Sequence, residues 1–386
     1  MIRWPSLYAA LDDGPLPTFA AGRYMKNTIR LLIATITVTA CSDSIGPPGF
    51  AGITDATFTR ARTPAATTTL PTFGGTTAEA FAINDAGTVV GYAAETNSSR
   101  TAAGVAYTAR WARDTVGRWK VTKLSTTPGG RAHALNERGD AVGERDGAAL
   151  VWPASRGEER LGDGIALGIN DAGIIVGGTQ YGLESFGRVW TPDPAGVGAK
   201  WIMRALPPLE GGTFSLAFAI NENGIIAGSA RTASGIWKAV VWRPGADGWM
   251  IPVPLPGTEV SPGPSASFGL NTDGDVVGYL RACTTCSNHA YLWPVGGGSV
   301  DLTAWNSGTS TGRALGIENA RRVVGELYLN LPQANDPSAF LSLPGVSTLT
   351  GLGSGRANDI NNLTARFGQE VVGRSGSSTA VVWRAP

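Results

Sequence analysis

The chain has 386 residues, with 31 Lys and Arg against 30 Asp and Glu, a formal net charge of +1, and 16% charged against 42% hydrophobic residues. So even a balance, with no run of Lys or Arg, excludes a nucleic-acid binder or a polybasic membrane-surface protein, because both need a concentrated positive field. The 53 glycines and 24 prolines, without any long helical period, point to a strand-rich, turn-rich protein with a large core.

Residues 1–24 contain Asp12, Asp13 and several prolines, unlike the start of an export signal, so Met25 is expected to be the true first residue. Residues 25–40 read as a bacterial signal peptide: Lys26 and Arg30 supply the positive start, and residues 31–40 supply a short apolar run. Ten residues are too few to cross a bilayer, which needs about 20. Val38-Thr39-Ala40-Cys41 resembles the lipobox of bacterial lipoproteins. The resemblance implies lipidation at Cys41 and a lipid-anchored protein of the cell envelope, periplasmic or on the cell surface. Residues 41–65 carry Gly46-Pro47-Pro48-Gly49 and no period, so they read as a flexible tether, with the folded body at 66–386.

That body is a repeat. Its clearest copy, residues 217–242, has an apolar run ending at Asn221, a turn through Glu222-Asn223-Gly224, a second run closed by Gly228, and a third run ending at Trp242. Two β-rich runs joined by N-x-x-G read as a hairpin, since Gly accepts φ > 0 and Asn bonds to nearby backbone N–H groups. The turn recurs from Asn84, Asn136, Asn170 and Asn271, degenerates at Glu318 to Arg321, and is expanded after Asn361. The closing glycine recurs at 91, 143, 177, 228, 278, 325 and 373; the first and last are 282 residues and six steps apart, a mean period of 47. The third run ends in Trp111, Trp152, Trp190, Trp242, Trp293 and Trp383, with Ser342 as the exception. A fourth, closing strand is implied before each next copy, as in residues 67–72 and 201–206.

Four short strands in about 47 residues match the period of propeller blades. The expected fold is therefore all-β: a seven-bladed β-propeller of four-stranded antiparallel blades. The chain starts with a fourth-type strand near residue 67 and ends with a third-type strand at 379–383, so the two should pair and close the ring. These repeats resemble the bacterial HAF extracellular repeats, which carry a His-Ala-Phe run ahead of the tryptophan. His289-Ala290-Tyr291-Leu292-Trp293 is close to that run, and the hairpin matches the other half of the motif over residues 66–386. What the resemblance implies is a surface or extracellular location, without an assigned activity.

Catalytic constellations are sparse. The two histidines, His133 and His289, both lie inside strand motifs. Gly308-Thr309-Ser310-Thr311-Gly312 has the letters of a nucleophile elbow but lies between blades, without the strand-to-helix turn that device needs. Asn271-Thr272-Asp273-Gly274-Asp275 has alternating oxygens suited to a calcium loop, yet it is also the repeat's own turn. No metal, cofactor or catalytic residue is therefore assigned. Cys283 and Cys286 read as a small disulfide in an oxidising compartment. The regularly spaced tryptophans read as packing between blades rather than as sugar platforms.

The function expected is that of a non-enzymatic, surface-tethered binding or scaffold module, acting as a monomer, for a glycan, peptide or protein, with the membrane reached only through the lipid. The alternative is a polysaccharide lyase or glycoside hydrolase with carboxylates converging at the channel mouth. Strand direction puts the stereotyped N-x-x-G turns on one side of the ring and the variable loops on the other, and variable loops on a rigid scaffold are where recognition usually sits. The ligand face is accordingly assigned to Tyr181, Arg231, Trp237, Tyr279, Arg281, Tyr328 and Arg374, with Asp85, Glu137 and Glu222 on the opposite turns.

Overall fold

The computed structural model describes residues 57–60 and 66–384, apart from short stretches at 97–103, 182–183, 195–199, 246–249, 305–310, 330–336, 346–347, 365–367 and 377. The expected signal peptide, Cys41 and most of the tether lie outside the described residues. Every regular element described is a strand. Two precede the repeats: β1 (Thr57–Arg60) and β2 (Thr67–Thr69).

Five repeats form separate four-stranded antiparallel sheets. The first holds β3 (Gly74–Ile83), β4 (Val89–Glu95), β5 (Ala106–Arg113) and β6 (Trp119–Lys123). The second holds β7 (Arg131–Leu135), β8 (Ala141–Arg145), β9 (Ala148–Trp152) and β10 (Glu159–Asp163). The third comprises β11 (Ile165–Ile169), β12 (Ile175–Tyr181), β13 (Glu184–Pro192) and β14 (Trp201–Leu206). In the fourth are β15 (Ser215–Ile220), β16 (Ile226–Arg231), β17 (Trp237–Pro244) and β18 (Met250–Pro254). The fifth has β19 (Ser265–Leu270), β20 (Val276–Arg281), β21 (Asn288–Trp293) and the two-residue β22 (Val300–Asp301).

The rest of the chain corrects the expectation of seven separate blades. Strands β23 (Thr311–Ile317), β24 (Val323–Tyr328), β25 (Ser338–Ser342), β26 (Thr348–Ile360), β27 (Glu370–Ser375) and β28 (Thr379–Arg384) join with β1 and β2 in one eight-stranded sheet. The propeller thus has five four-stranded blades, not seven. The physical reason is β26. Its 13 residues run without a turn, so the first part pairs with β25 as an outer strand while the second pairs with β27 as an inner one. Gly353 and Gly355, at φ of +132° and +130°, let the chain pass between the two roles without leaving the sheet.

Consecutive sheets pack through their inner strands, and β3 packs on β26, β27 and β28, which closes the arrangement into a ring. At the seam β2 adds to β28, with Thr67, Thr68 and Thr69 opposite Trp383, Val382 and Val381. Strand β1 lies parallel to the start of β26, from Thr57 opposite Thr348 to Arg60 opposite Gly351. The stretch expected as tether therefore supplies a strand that covers a sheet edge.

One irregularity recurs in all seven inner strands. The pairing slips by a residue at Ala80/Ala82, Ala132/Ala134, Ala166/Gly168, Ala217/Ala219, Ser267/Gly269, Ala314/Gly316 and Ala357/Asp359. These bulges explain the repeat's most faithful residue. A Cβ at Gly228 would lie 2.1 Å from the carbonyl oxygen of Leu216 just before the bulge, and one at Gly91 would lie 2.0 Å from that of Glu79. Backbone cannot yield there, so only glycine fits.

The tryptophans close the packing. Trp111, Trp152, Trp190, Trp242, Trp293 and Trp383 are the largest fully buried side chains. Three of them share a device that ties a blade to the segment entering it: the indole N–H of Trp111, Trp242 and Trp293 donates to the carbonyls of Pro71, Pro207 and Pro256 at 2.6, 2.9 and 3.0 Å. The leucines before those prolines, Leu70, Leu206 and Leu255, are buried too.

Candidate functional site

The inner strands all run toward the N-x-x-G turns, so these meet at one end of the ring axis. In each, the Asn Oδ1 accepts a backbone N–H four residues on, as from Thr88 to Asn84 and from Ile225 to Asn221, both at 2.9 Å. Its Nδ2 is then free to reach the next repeat. Asn84, Asn136, Asn170 and Asn221 donate in turn to the carbonyls of Asn136, Asn170, Asn221 and Asn271 at 3.0–3.1 Å. One amide therefore shapes its own turn and joins its neighbour's.

A second circuit runs through the following residue. The backbone N–H of Asp85, Glu137 and Asp171 donates to the carboxylates of Glu137, Asp171 and Glu222 at 2.8–3.1 Å. Thr272 N–H donates to Asn319 Oδ1, Asn319 N–H to Asn362 Oδ1, and Asn362 N–H to Asp85 Oδ1. Acidic side chains thus gather on the half of this mouth built by the first four repeats.

Inside the mouth is a cavity of about 160 Å³, floored by Ile83, Ile220, Leu270, Ile317 and Ile360 and walled by turn residues that include Asp85, Glu137, Glu222 and Glu318. Glu137 is exposed, yet partial desolvation at this concave rim, with Asp85, Asp171 and Glu222 close by, pushes its carboxyl up to about 7. Asp359 stands at the bulge position that Ala82, Ala134, Gly168, Ala219, Gly269 and Gly316 occupy elsewhere. Its Oδ2 accepts the Ile83 N–H at 3.0 Å across the closing seam. Burial raises its carboxyl to about 7, with Glu137 and Asp85 adding to the effect.

The sign of the consequence follows from linkage. An acid whose folded value lies above the ordinary one near 4 binds its proton more tightly in the fold, so its stabilisation is complete at low pH and is lost as pH rises through 7. Asp359→Asn keeps an acceptor for Ile83 without the charge. It is expected to raise the melting temperature at pH 8 and leave it nearly unchanged at pH 5; equal shifts at the two values would refute the assignment.

No family model and no curated protein matches the chain. Among solved structures it is similar to one described as RS223-β-xylosidase, at 11% identity over 82% of this chain and 94% of that one, with a TM-score of 0.29. At that score the likeness carries no argument about the chemistry of either mouth.

The opposite end of the axis is read from the register just before each bulge. There Glu79 faces Tyr92, Arg131 faces Glu144, Ile165 faces Gly178, Leu216 faces Ser229, Ala266 faces Tyr279, Arg313 faces Glu326, and Arg356 faces Arg374. Three neighbouring repeats are apolar on their inner strands and four are charged, so this mouth has two unlike halves. Glu326, fully buried, sits between Arg313 at 3.3 Å and Arg356 at 2.8 Å. Arg374 stands 3.9 Å from Glu79, which also accepts from Asn358 Nδ2 at 3.1 Å. Deeper in, the bulged residues Phe81 and His133 touch at a centroid distance of 5.1 Å, as Phe218 and Phe268 do at 5.2 Å. Burial and the nearby Arg131 push the His133 imidazole down to about 3, so it is neutral.

The residues assigned to the ligand face all lie at this end, on the later part of second strands or the start of a third. Tyr328 Oη is 3.5 Å from Glu326, and the Arg313 guanidinium is 5.8 Å from the Tyr279 ring. Tyr328 and Arg374 thus stand on the charged half and Tyr279 at its border with the apolar half. Arg231 stands apart, 4.5 Å over the Phe214 ring and 4.9 Å over that of Trp237, and Arg281 donates to Asn288 Oδ1 at 2.8 Å. Tyr181 ends β12. Tyr279 is 1% exposed, and its hydroxyl has no hydrogen-bond partner among the described residues. Burial raises that phenol. Sequence reasoning missed Glu79, Arg131, Arg313, Glu326 and Arg356; the signal was there in the inner-strand residue just before each bulge, which is charged in four of the seven copies and apolar in the other three.

The remaining motifs are structural. Cys283 and Cys286 are joined as a disulfide between β20 and β21. His289 Nδ1 lies 2.7 Å from Asp301 Oδ2 in adjacent strands. Asp275 is fully buried; it accepts from Asn271 Nδ2 and Val295 N–H and pairs with Arg321 at 2.7 Å, so its oxygens are committed. Among the described residues no cluster of three or more His, Cys, Asp or Glu side chains is arranged to hold a metal ion.

Proposed function

We propose that this β-propeller is a surface-tethered, non-enzymatic binding module whose partner, a glycan or polypeptide bearing acidic groups, docks on the mouth opposite the N-x-x-G turns. The observation that carries the reading is the arginine excess at one level of that mouth: Arg131, Arg313, Arg356 and Arg374 against Glu79, Glu144 and Glu326. Arginine forks match carboxylates in geometry, and such pairs gain strength where water is scarce. The buried Tyr279 hydroxyl, without a partner among the described residues, offers a further donor beside them. Tethering rests on the sequence pattern from Lys26 to Cys41.

Immobilised acidic and neutral glycans and peptides, probed with the intact protein, test this reading. Bound species should be acidic, and the double substitution of Arg131 and Arg281, which stand at the rim, by Ala should weaken binding at least tenfold with little change in melting temperature. Selective capture of neutral species, or unaltered binding by that variant, would remove the proposal. A second reading, glycoside hydrolysis at the turn mouth, is favoured by one observation: Glu137 is held partly protonated near neutral pH beside other carboxylates, a pattern that suits acid catalysis. Release of chromophore from aryl glycosides, abolished by Glu137→Gln, would establish it.

A further inference from the structure

A sheet that ends in an unpaired strand exposes a row of main-chain N–H and C=O groups, and folded proteins blunt such edges with charge, proline, a bulge, a very short strand or a covering segment. Of the seven outer edges among the described residues, six carry one of these devices. In β6, Lys120 and Lys123 are two of the five residues, and β10 is charged at Glu159, Arg160 and Asp163 and bulged after Arg160. Pro252 and Pro254 stand in β18, and β22 has only two residues. The start of β26 is covered by β1, and β28 by β2. The seventh edge, β14, reads W-I-M-R-A-L, with neither proline nor bulge, and no described strand pairs with its outer side.

Register shows what the exception leaves open. Met203 and Ala205 lie opposite Trp190 and Arg188, just as Pro252 and Pro254 lie opposite Trp242 and Val240 in the next blade. Where the fourth blade has prolines, the third therefore has residues that carry an N–H. Asp193 N–H donates to the Lys200 carbonyl at 2.9 Å, so Lys200 and every second residue after it turn their main chain toward β13. Trp201, Met203 and Ala205 turn theirs outward. The side chains are open as well: Ile202 is 42% and Met203 50% exposed, and on the next blade's outer strand Ile251 and Val253 are exposed too.

We infer that β14 is a dimerisation edge, at which a second copy of this chain adds its own β14 antiparallel across a two-fold axis. The strand is self-complementary in one register. With Met203 on the axis, Trp201 faces Ala205 of the second copy, and the three outward residues of each strand exchange about six main-chain hydrogen bonds. Arg204 then faces Ile202 of the second copy, so no like charges stand directly opposed. That symmetric fit selects a second copy over an unrelated extended segment, and the chain's own arm is already taken up at β26 and β28. A contact of six residues a side lies at the small end of specific interfaces, so the dimer should be weak, with a dissociation constant of about 10 μM. It departs from the monomer expected from the sequence. It uses neither mouth of the ring, so it stands or falls apart from the proposed ligand site.

Sedimentation velocity of the intact protein over about 1–200 μM tests the assignment. A monomer–dimer equilibrium is expected. Met203→Pro installs on the axis the residue that β18 carries at the same register, and it should weaken the dimer at least tenfold with little change in melting temperature. Ile202→Glu and Ile202→Lys test the register itself, since each puts a charge at an exposed position opposite Arg204 of the second copy. The Glu variant should dimerise at least threefold more tightly than the Lys variant, a comparison that holds even where Met203→Pro unfolds. Three results overturn the inference: a protein that is monomeric throughout, equal dimerisation of the Glu and Lys variants, or association undiminished in folded Met203→Pro, as contact through the apolar run at 31–40 would give.

Discussion

Deleting residues 66–73 is expected to lower stability by on the order of 5 kcal/mol and the melting temperature by about 10 °C. The segment does more than cap a sheet. Thr67–Thr69 forms the outermost strand beside β28, and Arg384 N–H donates to the Ala66 carbonyl. Leu70 is 1% exposed and packs with Ala78, Val89, Ala380 and Val382, residues from both sides of the seam. Its burial alone is worth about 2 kcal/mol. Pro71 supplies the carbonyl that Trp111 needs, and losing it leaves a buried indole N–H unpaired at a further ~1–3 kcal/mol. The deletion would also bare the β28 edge, Thr379–Arg384, for pairing with another chain. Differential scanning calorimetry with light scattering reads both effects. A truncated protein that melts like the full chain and stays monomeric would show that the ring closes without this strand.

The sequence displays the repeat because its turn and closing residues have only one chemistry that fits. Glycines 91 to 373 were legible as a period, but the cause, an inner-strand bulge that drives a carbonyl to within about 2 Å of a would-be Cβ, is a pairing fact that no single strand reveals. The Asn of each turn was legible as a turn former, whereas its second role is long-range. Asn84 donates across 52 residues, and such a bond leaves no local trace. Blade number failed at β26 because a strand that serves as outer and then inner strand of one sheet looks in sequence like two strands with a Gly-rich turn between them, Gly351-Leu352-Gly353-Ser354-Gly355. The arginine-rich mouth was half legible. Tyr279, Tyr328 and Arg374 were picked out as members of variable loops, whereas they lie in strands, and Glu326 becomes meaningful only once register sets it between Arg313 and Arg356.

Trp242→Ala is expected to cost about 3–5 kcal/mol. Trp242 has no exposed surface and packs with Val176 and Val189 of the preceding blade as well as Leu206, Ala217 and Ile226. Removing the indole opens a cavity between two blades whose backbones are held by their own ladders and cannot collapse into it. Trp242→Phe separates the two contributions. It keeps most of the ring's volume but removes the donor to the Pro207 carbonyl at 2.9 Å, so it should cost about 1–2 kcal/mol. Arg243→Ala, at the next position but exposed on the strand's outer side, should change stability by less than about 0.5 kcal/mol. Urea unfolding monitored by circular dichroism orders the three variants. The order matters for function as well as fold, because a tryptophan kept as a sugar platform would show the reverse pattern, a small loss of stability with a large loss of binding. A cost for Trp242→Ala no greater than that for Arg243→Ala would move the indole ladder out of the core and make it a binding surface.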